Sequence, residues 1–157
     1  MRRLLTLLFL ALTACNPLVS SSPTPSASEQ EVALMNAVKH YFQVFDQVRA
    51  TGDASLIDSV TDPDGVDRSN TQAFVQDQQA KHHLSIVTHE TFSKWRYSIT
   101  QTDATTHVDY QLTGYNIDPV TRQPLEAATT LAPQHVVMRL RLRNGVWLVF
   151  ESHVEPT

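Results

Sequence analysis

Two side chains near the end of the sequence have the types that proton transfer requires. Glu151 and His153 lie two residues apart, so an extended strand would point both side chains to the same face of a sheet. A carboxylate and an imidazole beside an apolar cavity can act as an acid and a base. We therefore take both as candidate cavity-lining residues; the alternative is that both are hydrated at the mouth of the cavity.

The facing of these two side chains follows from a predicted hairpin. Asn144-Gly145 separates two alternating segments, 134–143 and 146–155, and signals a two-residue type I′ turn because both turn positions need a positive φ. The predicted pairs are Leu142 with Trp147, Leu140 with Val149, Met138 with Glu151 and Val136 with His153. Since side chains alternate strictly across a sheet, Met138 and Trp147 share the inner face with Glu151 and His153.

The opposite face of the same hairpin carries a row of positive charge. Arg139, Arg141 and Arg143 lie there beside Leu148 and Phe150. Such a row could bind an anionic partner, such as a polyanionic envelope polymer. The alternative is a solvated outer face on which the arginine stems cover the two apolar side chains.

Seven histidines raise the question of a metal site. No two of them form a His-x3-His pair on a predicted helix, and the single cysteine gives no help as a ligand. Scattered surface histidines are the interpretation that the spacing favours, so we expect neither a metal nor a cofactor. A site assembled from distant strands stays open as the alternative. The sequence also contains no glycine-rich phosphate loop and no Gly-x-Ser-x-Gly motif.

The single cysteine, Cys15, has a different predicted role. Arg2 and Arg3 precede an apolar run of about nine residues, which is too short to span a membrane but has the length of a signal-peptide core. The run ends in Leu12-Thr13-Ala14-Cys15, which resembles the bacterial lipobox. We expect cleavage after residue 14, lipidation of Cys15, and a protein held by its acyl chains on the outer side of a membrane. The alternative is an ordinary cleaved signal with an incidental cysteine.

Composition bounds the partners of the mature protein. The chain has 12 basic and 16 acidic residues; losing Arg2 and Arg3 leaves 10 against 16, a net charge of −6. This charge argues against an electrostatic nucleic-acid binder. Asn16 follows the cysteine where an Asp would resemble an inner-membrane retention signal, so we expect the outer membrane if the organism has one. The Ser/Pro-rich segment 15–28 then predicts a tether, and 29–157 a single domain.

The elements that must position these residues follow an α+β order. A long amphipathic helix with Leu34, Val38 and Tyr41 on its apolar stripe ends at Gly52, and Asp53 caps a short second helix. A third helix is predicted over about 70–82. Strands are then predicted over 84–92, 94–102 and 106–115, followed by a long loop over 116–133 and the closing hairpin.

This order resembles the NTF2-like superfamily, also called cystatin-like or SnoaL-like. The quoted matches are the helix junction Ala50-Thr51-Gly52-Asp53, the ending Arg143-Asn144-Gly145-Val146-Trp147-Leu148-Val149, and a polar residue, His153, six positions after the tryptophan. The resemblance covers about 29–155. It implies N-terminal helices packed in a curved antiparallel sheet of about five strands, forming a cone with a cavity, and a homodimer through the convex sheet face.

The resemblance leaves the function open, because the superfamily includes isomerases, cyclases, dehydratases and non-enzymatic binding modules. The isomerase-type site needs an inward Asp base beside a Tyr and a protonated Asp. Tyr97, Asp109 and Tyr110 are the candidates, but alternation turns Tyr110 inward and Asp109 outward, so no second inward Asp is evident.

We therefore expect a membrane-anchored, non-catalytic binding or assembly module of the cell envelope. Its partner would be an unknown envelope protein. The alternatives are a small-molecule isomerase or cyclase, and a carrier of a small apolar ligand, both using the cavity.

Overall fold

The computed structural model describes residues 27–156, in which the helices precede the sheet. Helix α1 spans Ala27–Thr51, a 3₁₀ helix spans Ala54–Ser59, and helix α2 spans Asp67–Ala80. Gly52 ends α1 with a φ of 73°, and Asp53 caps the 3₁₀ helix by accepting a hydrogen bond from the backbone N–H of Ser55. Helix α2 begins three residues earlier than predicted. No helix within residues 27–156 is long and apolar enough to cross a membrane.

The five strands form one antiparallel sheet. Their bounds are β1 Leu84–Ile99, β2 Asp103–Ile117, β3 Thr129–Thr130, β4 Gln134–Arg143 and β5 Val146–Glu155. The strand order is β1-β2-β4-β5, and the short β3 pairs with β2 beyond the end of β4. The predicted fold class, N-terminal helices packed in a curved antiparallel sheet of about five strands, is confirmed.

Two strand predictions are corrected. The segments predicted as separate strands over 84–92 and 94–102 form the single long strand β1, which stays paired with β2 through an irregularity between Ser93 and Arg96. Lys94 takes a positive φ of 51° there, so the strand bends without ending. The fifth strand is instead β3, within the segment predicted as a loop.

The closing hairpin has the predicted turn and half of the predicted register. Asn144 and Gly145 have φ values of 51° and 81°, as a type I′ turn requires, and Leu142 pairs with Trp147. Beyond Leu140 and Val149, however, a β-bulge at Phe150 shifts the pairing by one residue. Every side chain of β5 after the bulge therefore lies on the face opposite to the predicted one.

A segment from outside the hairpin contacts β5 at the bulge. Segment 60–66 runs along the free edge of β5, where Asp62 N–H donates to the Val149 carbonyl and Val66 N–H donates to the Phe150 carbonyl. A Cβ on Gly65 would lie 2.3 Å from the Phe150 carbonyl oxygen, so only glycine permits this approach. The segment covers an edge that would otherwise be open to pairing with another chain.

The core lies between α1 and the inner face of the sheet. Leu34, Val38 and Val48 from α1 are fully buried against Met138 and Leu140 from β4. The helical spacing of the first three residues and the alternation of the last two predict this contact. The predicted signal peptide 1–14, the lipidated Cys15 and nearly all of the tether lie outside the described residues.

Candidate functional site

The cone contains a small cavity between α1, α2 and the ends of β2, β4 and β5. Its volume is about 190 Å³. The lining residues are Tyr41, Phe42, Phe45, Arg49, Asp67, Asn70, Thr71, Tyr110, Gln134, Val136, Ser152, His153 and Val154. Its apolar wall comes mainly from α1, and its polar groups gather at two points.

The first polar point is a buried carboxyl group bound by two hydroxyls. Tyr41 donates a hydrogen bond of 2.5 Å to Oδ2 of Asp67, and Ser152 donates one of 2.5 Å to Oδ1. The two hydroxyl oxygens are 3.3 Å apart. Because Asp67 opens α2, this cluster joins the first turn of α2 to α1 and to β5.

Burial dominates the electrostatics of this cluster. It raises the pKa of Asp67, although the hydrogen bonds from Ser152 and Tyr41 act in the opposite direction. Burial also raises the pKa of Tyr41 well above its ordinary value, and the nearby Asp67 adds to that effect. Both oxygens of Asp67 already accept hydrogen bonds within the chain, so the group links elements of the fold at the wall of the cavity.

The second polar point surrounds Arg49 on the other side of the cavity. Its Nη1 donates to Oδ1 of Asp46 at 2.8 Å and to the Tyr110 hydroxyl at 3.1 Å, while the guanidinium carbon lies 4.6 Å from the centre of the Phe45 ring. Tyr110 donates in turn to Oε1 of Glu90 at 2.6 Å. Two carboxyl groups, one guanidinium and one phenol thus form a connected network.

Asp46 in this network gives the protein a predicted pH dependence. Burial raises the pKa of Asp46 to about 7, from an ordinary value of 3.8, and the neighbouring Glu90 adds to it against the pull of Arg49. Between these values the folded state holds a proton that the unfolded state releases, so stability falls as the pH rises from about 4 to about 7. We expect Asp46→Asn to reduce this fall, measured as urea midpoints at pH 5 and pH 8, because it removes one of the two buried carboxyl groups, Asp46 and Asp67, whose pKa is raised.

The control for Asp46 is a carboxylate on the protein surface. Asp58 is exposed and pairs with Arg68 across 3.0 Å. Asp58→Asn should keep the wild-type difference between the two midpoints, because exposed ion pairs contribute little. If Asp46→Asn kept that difference as well, Asp46 would not be its source.

The predicted acid–base pair is not assembled, because the bulge at Phe150 reverses its facing. Glu151 pairs with Arg139, outside the cone, and its carboxylate lies 3.2 Å from the Arg139 guanidinium. His153 pairs with Val137 and is exposed at the rim of the cavity. The inward positions belong to Ser152, opposite Met138, and Val154, opposite Val136.

The other candidate cavity residues separate into three environments. Tyr110 lines the cavity, as described above. Met138 and Trp147 are buried in the core and do not line the cavity. Tyr97 is exposed beyond the cavity, where its hydroxyl is hydrogen-bonded to Glu31 of α1, and this raises its pKa. Asp109 points outward, as alternation predicts.

The arginine row lies on the outer face and is paired within the chain. Arg141 stacks over the Phe150 ring, 3.9 Å from its centre, and Arg139 lies 5.4 Å from the same centre. Arg143 bonds Oδ2 of Asp62 at 2.9 Å and Oδ2 of Asp64 at 2.7 Å. The row therefore covers apolar surface and fixes the 60–66 segment.

The sequence reasoning missed Asp67, Ser152, Arg49 and the pair Asp46 and Glu90. One signal was present: Tyr41 lies in the apolar stripe of α1, and a buried tyrosine hydroxyl needs a hydrogen-bond partner. The identity of that partner was not readable, because Asp67 and Ser152 are 26 and 111 residues away from Tyr41.

Comparisons with known proteins support the fold, but they assign no role to the residues of the cavity. No protein-family model and no curated protein matches the sequence. The structure is similar to the intermembrane space region of the chloroplast protein ARC6, with a TM-score of 0.61 and 12% identity over 86% of this chain and 100% of that one. It is also similar to a variant of Rv3472 from Mycobacterium tuberculosis, a protein of unknown function, with a TM-score of 0.56 and 11% identity over 83% and 75%.

A third similar structure is a putative Ca/calmodulin-dependent kinase II association domain from Exiguobacterium sibiricum. Its TM-score is 0.54, at 9% identity over 87% of this chain and 100% of that one. At these identities the likeness concerns the backbone alone and transfers no site residue. The chain thus shares with these proteins a fold in which helices pack in a curved antiparallel sheet.

Proposed function

We propose that this protein is a lipid-anchored module of the cell envelope that binds a partner protein without catalysing a reaction. Leu12-Thr13-Ala14-Cys15 supports the anchor, and the Ser/Pro-rich segment after it supports a tether that holds the domain away from the membrane. The proposal places the domain outside the cytoplasm, on the outer membrane where the organism has one.

The observation that carries the non-catalytic proposal is the filling of the cone. Phe42 stacks on Tyr110 with 4.3 Å between the ring centres, and Phe92 lies 5.3 Å from each of them. The remaining cavity of about 190 Å³ is smaller than the roughly 300 Å³ at which pockets for drug-sized ligands begin. The same volume argues against a carrier of a sizeable apolar ligand.

One observation favours an enzyme as the second candidate. A carboxyl group with a pKa of about 7, such as Asp46, is suited to acid–base work at neutral pH. However, Asp46 does not line the cavity and is held by Arg49 and Glu90. Substrate would have to reach it past Arg49 and Tyr110, so we place this function second.

The surface that we assign to the partner lies where the beginning of β1 pairs with the end of β2. Val120, Leu125 and Leu131 are exposed in the segment after β2, at 87%, 56% and 46% of their surface. Leu131 also stands in the wall of a hollow of about 380 Å³, together with Phe74 and Leu112. Exposed apolar side chains next to an apolar hollow are typical of a protein-binding surface.

The homodimer through the convex sheet face is a separate part of the proposal. Arg141 and Arg139 already cover Phe150 in the single chain. A second copy would therefore meet a charged face and not an open apolar one. A monomer at tens of micromolar in light scattering would exclude the homodimer and leave the partner surface as proposed.

The test combines membrane fractionation with capture of bound proteins from the native envelope. Cys15→Ser should move the protein from the membrane fraction to the soluble one, because the acyl chains are lost, whereas Ser20→Ala in the tether should leave it in place. A protein captured by the wild type should be absent with Leu131→Asp and present with Val146→Asp, a position on the hairpin that is also exposed.

Three outcomes would contradict parts of this proposal. Retention of Cys15→Ser in the membrane fraction would mean that another contact anchors the protein. Equal capture by Leu131→Asp would remove the partner surface. If a small molecule copurified with the protein and no partner protein did, the result would favour the carrier or the enzyme.

A further inference from the structure

Three strands bring two histidines and a glutamate together on the convex face, outside the cone. His107 is on β2, His135 on β4 and Glu155 on β5, and the register pairs His135 with Asp109 on one side and Glu155 on the other. One nitrogen or oxygen ligand atom from each of the three lies within 4.8 Å of the others. No short motif links these positions, because each comes from a different strand.

His135 is oriented as histidines are in metal sites. Its Nδ1 lies 2.8 Å from Oδ1 of Asp109, and its Nε2 lies 3.5 Å from Oε2 of Glu155. When Nδ1 donates its hydrogen to Asp109, the lone pair of Nε2 faces the Glu155 carboxylate, and a cation between the two resolves the repulsion. A carboxylate behind the imidazole that fixes its tautomer is the usual support of a metal-bound histidine.

His107 supplies an independent observation. Its ring stacks beside that of His135, with 5.6 Å between the centres. Its Nδ1 is buried and has no hydrogen-bond partner among the described residues. A buried ring nitrogen without a partner is costly unless a ligand uses it or a small rotation of the ring brings it to one.

The ligand set and its surroundings fit a transition metal. Two imidazoles and one carboxylate suit Zn²⁺, which leaves a fourth position for water. Ligand atoms around a tetrahedral Zn²⁺ are about 3.4 Å apart for bonds of about 2.1 Å. The ligand atoms lie within 4.8 Å of one another, so they must move closer together to bind the ion. The side chain of Glu155 can make this movement, because it is half-exposed at the last residue of β5. The positive charge of Lys94 does not oppose binding of a cation, since its ammonium group pairs with Asp109 at 2.7 Å.

We propose that His107, His135 and Glu155 bind one divalent transition-metal ion, with Zn²⁺ as the fitting ion, on the convex face of the sheet. Asp109 is the positioning residue of this site, since it holds His135 and does not touch the metal. The site is separate from the cavity and from the partner surface. It would join the free end of β5 to β4 and β2.

The test measures Zn²⁺ binding by the full chain in competition with a chromophoric chelator, and Co²⁺ binding by its visible spectrum. We expect one ion per chain, also in Cys15→Ser, and a Co²⁺ spectrum of nitrogen and oxygen ligands without thiolate bands. Glu155→Gln and His135→Asn should each weaken binding by at least about tenfold, and Asp109→Asn by about 10- to 100-fold. The exposed His89 on β1 is the control, and His89→Asn should bind as the wild type does.

Three results would overturn the proposal. The first is that the full chain shows no saturable binding of one ion. The second is that binding is unchanged in Glu155→Gln. The third is that binding is lost in Cys15→Ser alone. Glu155→Gln decides the matter even if a histidine variant fails to fold, because residue 155 is half-exposed at the strand end and outside the core.

Discussion

Asp67→Ala is expected to lower the free energy of unfolding by about 3 kcal/mol, measured by urea denaturation. The variant loses two hydrogen bonds to a carboxyl group, worth about 1.5 to 3 kcal/mol each. We take the low end, because the charged carboxyl itself is costly to bury, as the direction of its pKa indicates. The hydroxyls of Tyr41 and Ser152 are 3.3 Å apart and can partly satisfy each other in the variant.

The control for this prediction is on the same helix. Asp77 is exposed and pairs with Lys81 at 2.7 Å, so Asp77→Ala should cost less than about 1 kcal/mol. A gain in stability for Asp67→Ala would point to a strained group retained for activity, as buried carboxyls of active sites often are. The comparison therefore bears directly on the choice between a binding module and an enzyme.

Trp147→Ala is expected to lower the free energy of unfolding by about 4 kcal/mol, as truncation of a large aromatic side chain in a core does. Trp147 is 8% exposed and packs in the core opposite Leu142. A tryptophan that only lined an open cavity would leave the fold nearly as stable when shortened. The size of the loss in urea denaturation thus tests whether the cone is filled.

The neighbouring residue supplies the control for Trp147. Val146 lies in the same hairpin and is 57% exposed, so Val146→Ala should change stability by less than about 0.5 kcal/mol. Equal and small losses in both variants would contradict a filled cone. The proposal of a non-catalytic module would then lose its main support, because space for a ligand would exist at that position.

The filled cone and the paired polar groups together explain why no active site is evident among the described residues. Asp67 joins helices to the sheet, Arg143 fixes the segment along β5, and the aromatic rings occupy the inner face. Each of these groups has a type found in active sites, but each is already engaged by another part of the chain. What remains free is on the outside, at the loop after β2 and at the convex face.

The local features of the fold were readable because their causes are local. The stripe of α1 follows from the helical period, the break at Gly52 from the freedom of glycine at positive φ, and the turn at Asn144-Gly145 from the same freedom at two adjacent residues. The strands β4 and β5 follow from alternation with period two. In each case a few neighbouring residues carry the whole physical reason.

The sequence by itself determined an α+β domain with a long amphipathic helix and a closing hairpin, and it carries the motif on which the proposal of a lipid anchor rests. The tertiary structure alone decided which face Glu151 and His153 occupy, since the bulge at Phe150 lies where Asp62 and Val66, more than 80 residues earlier, donate hydrogen bonds to β5. It likewise joined Asp67 to Ser152 and His107 to Glu155. Strand alternation predicts the facing of side chains only as far as the register is unbroken. The spacing of residues within β5 does not show where segment 60–66 will contact it.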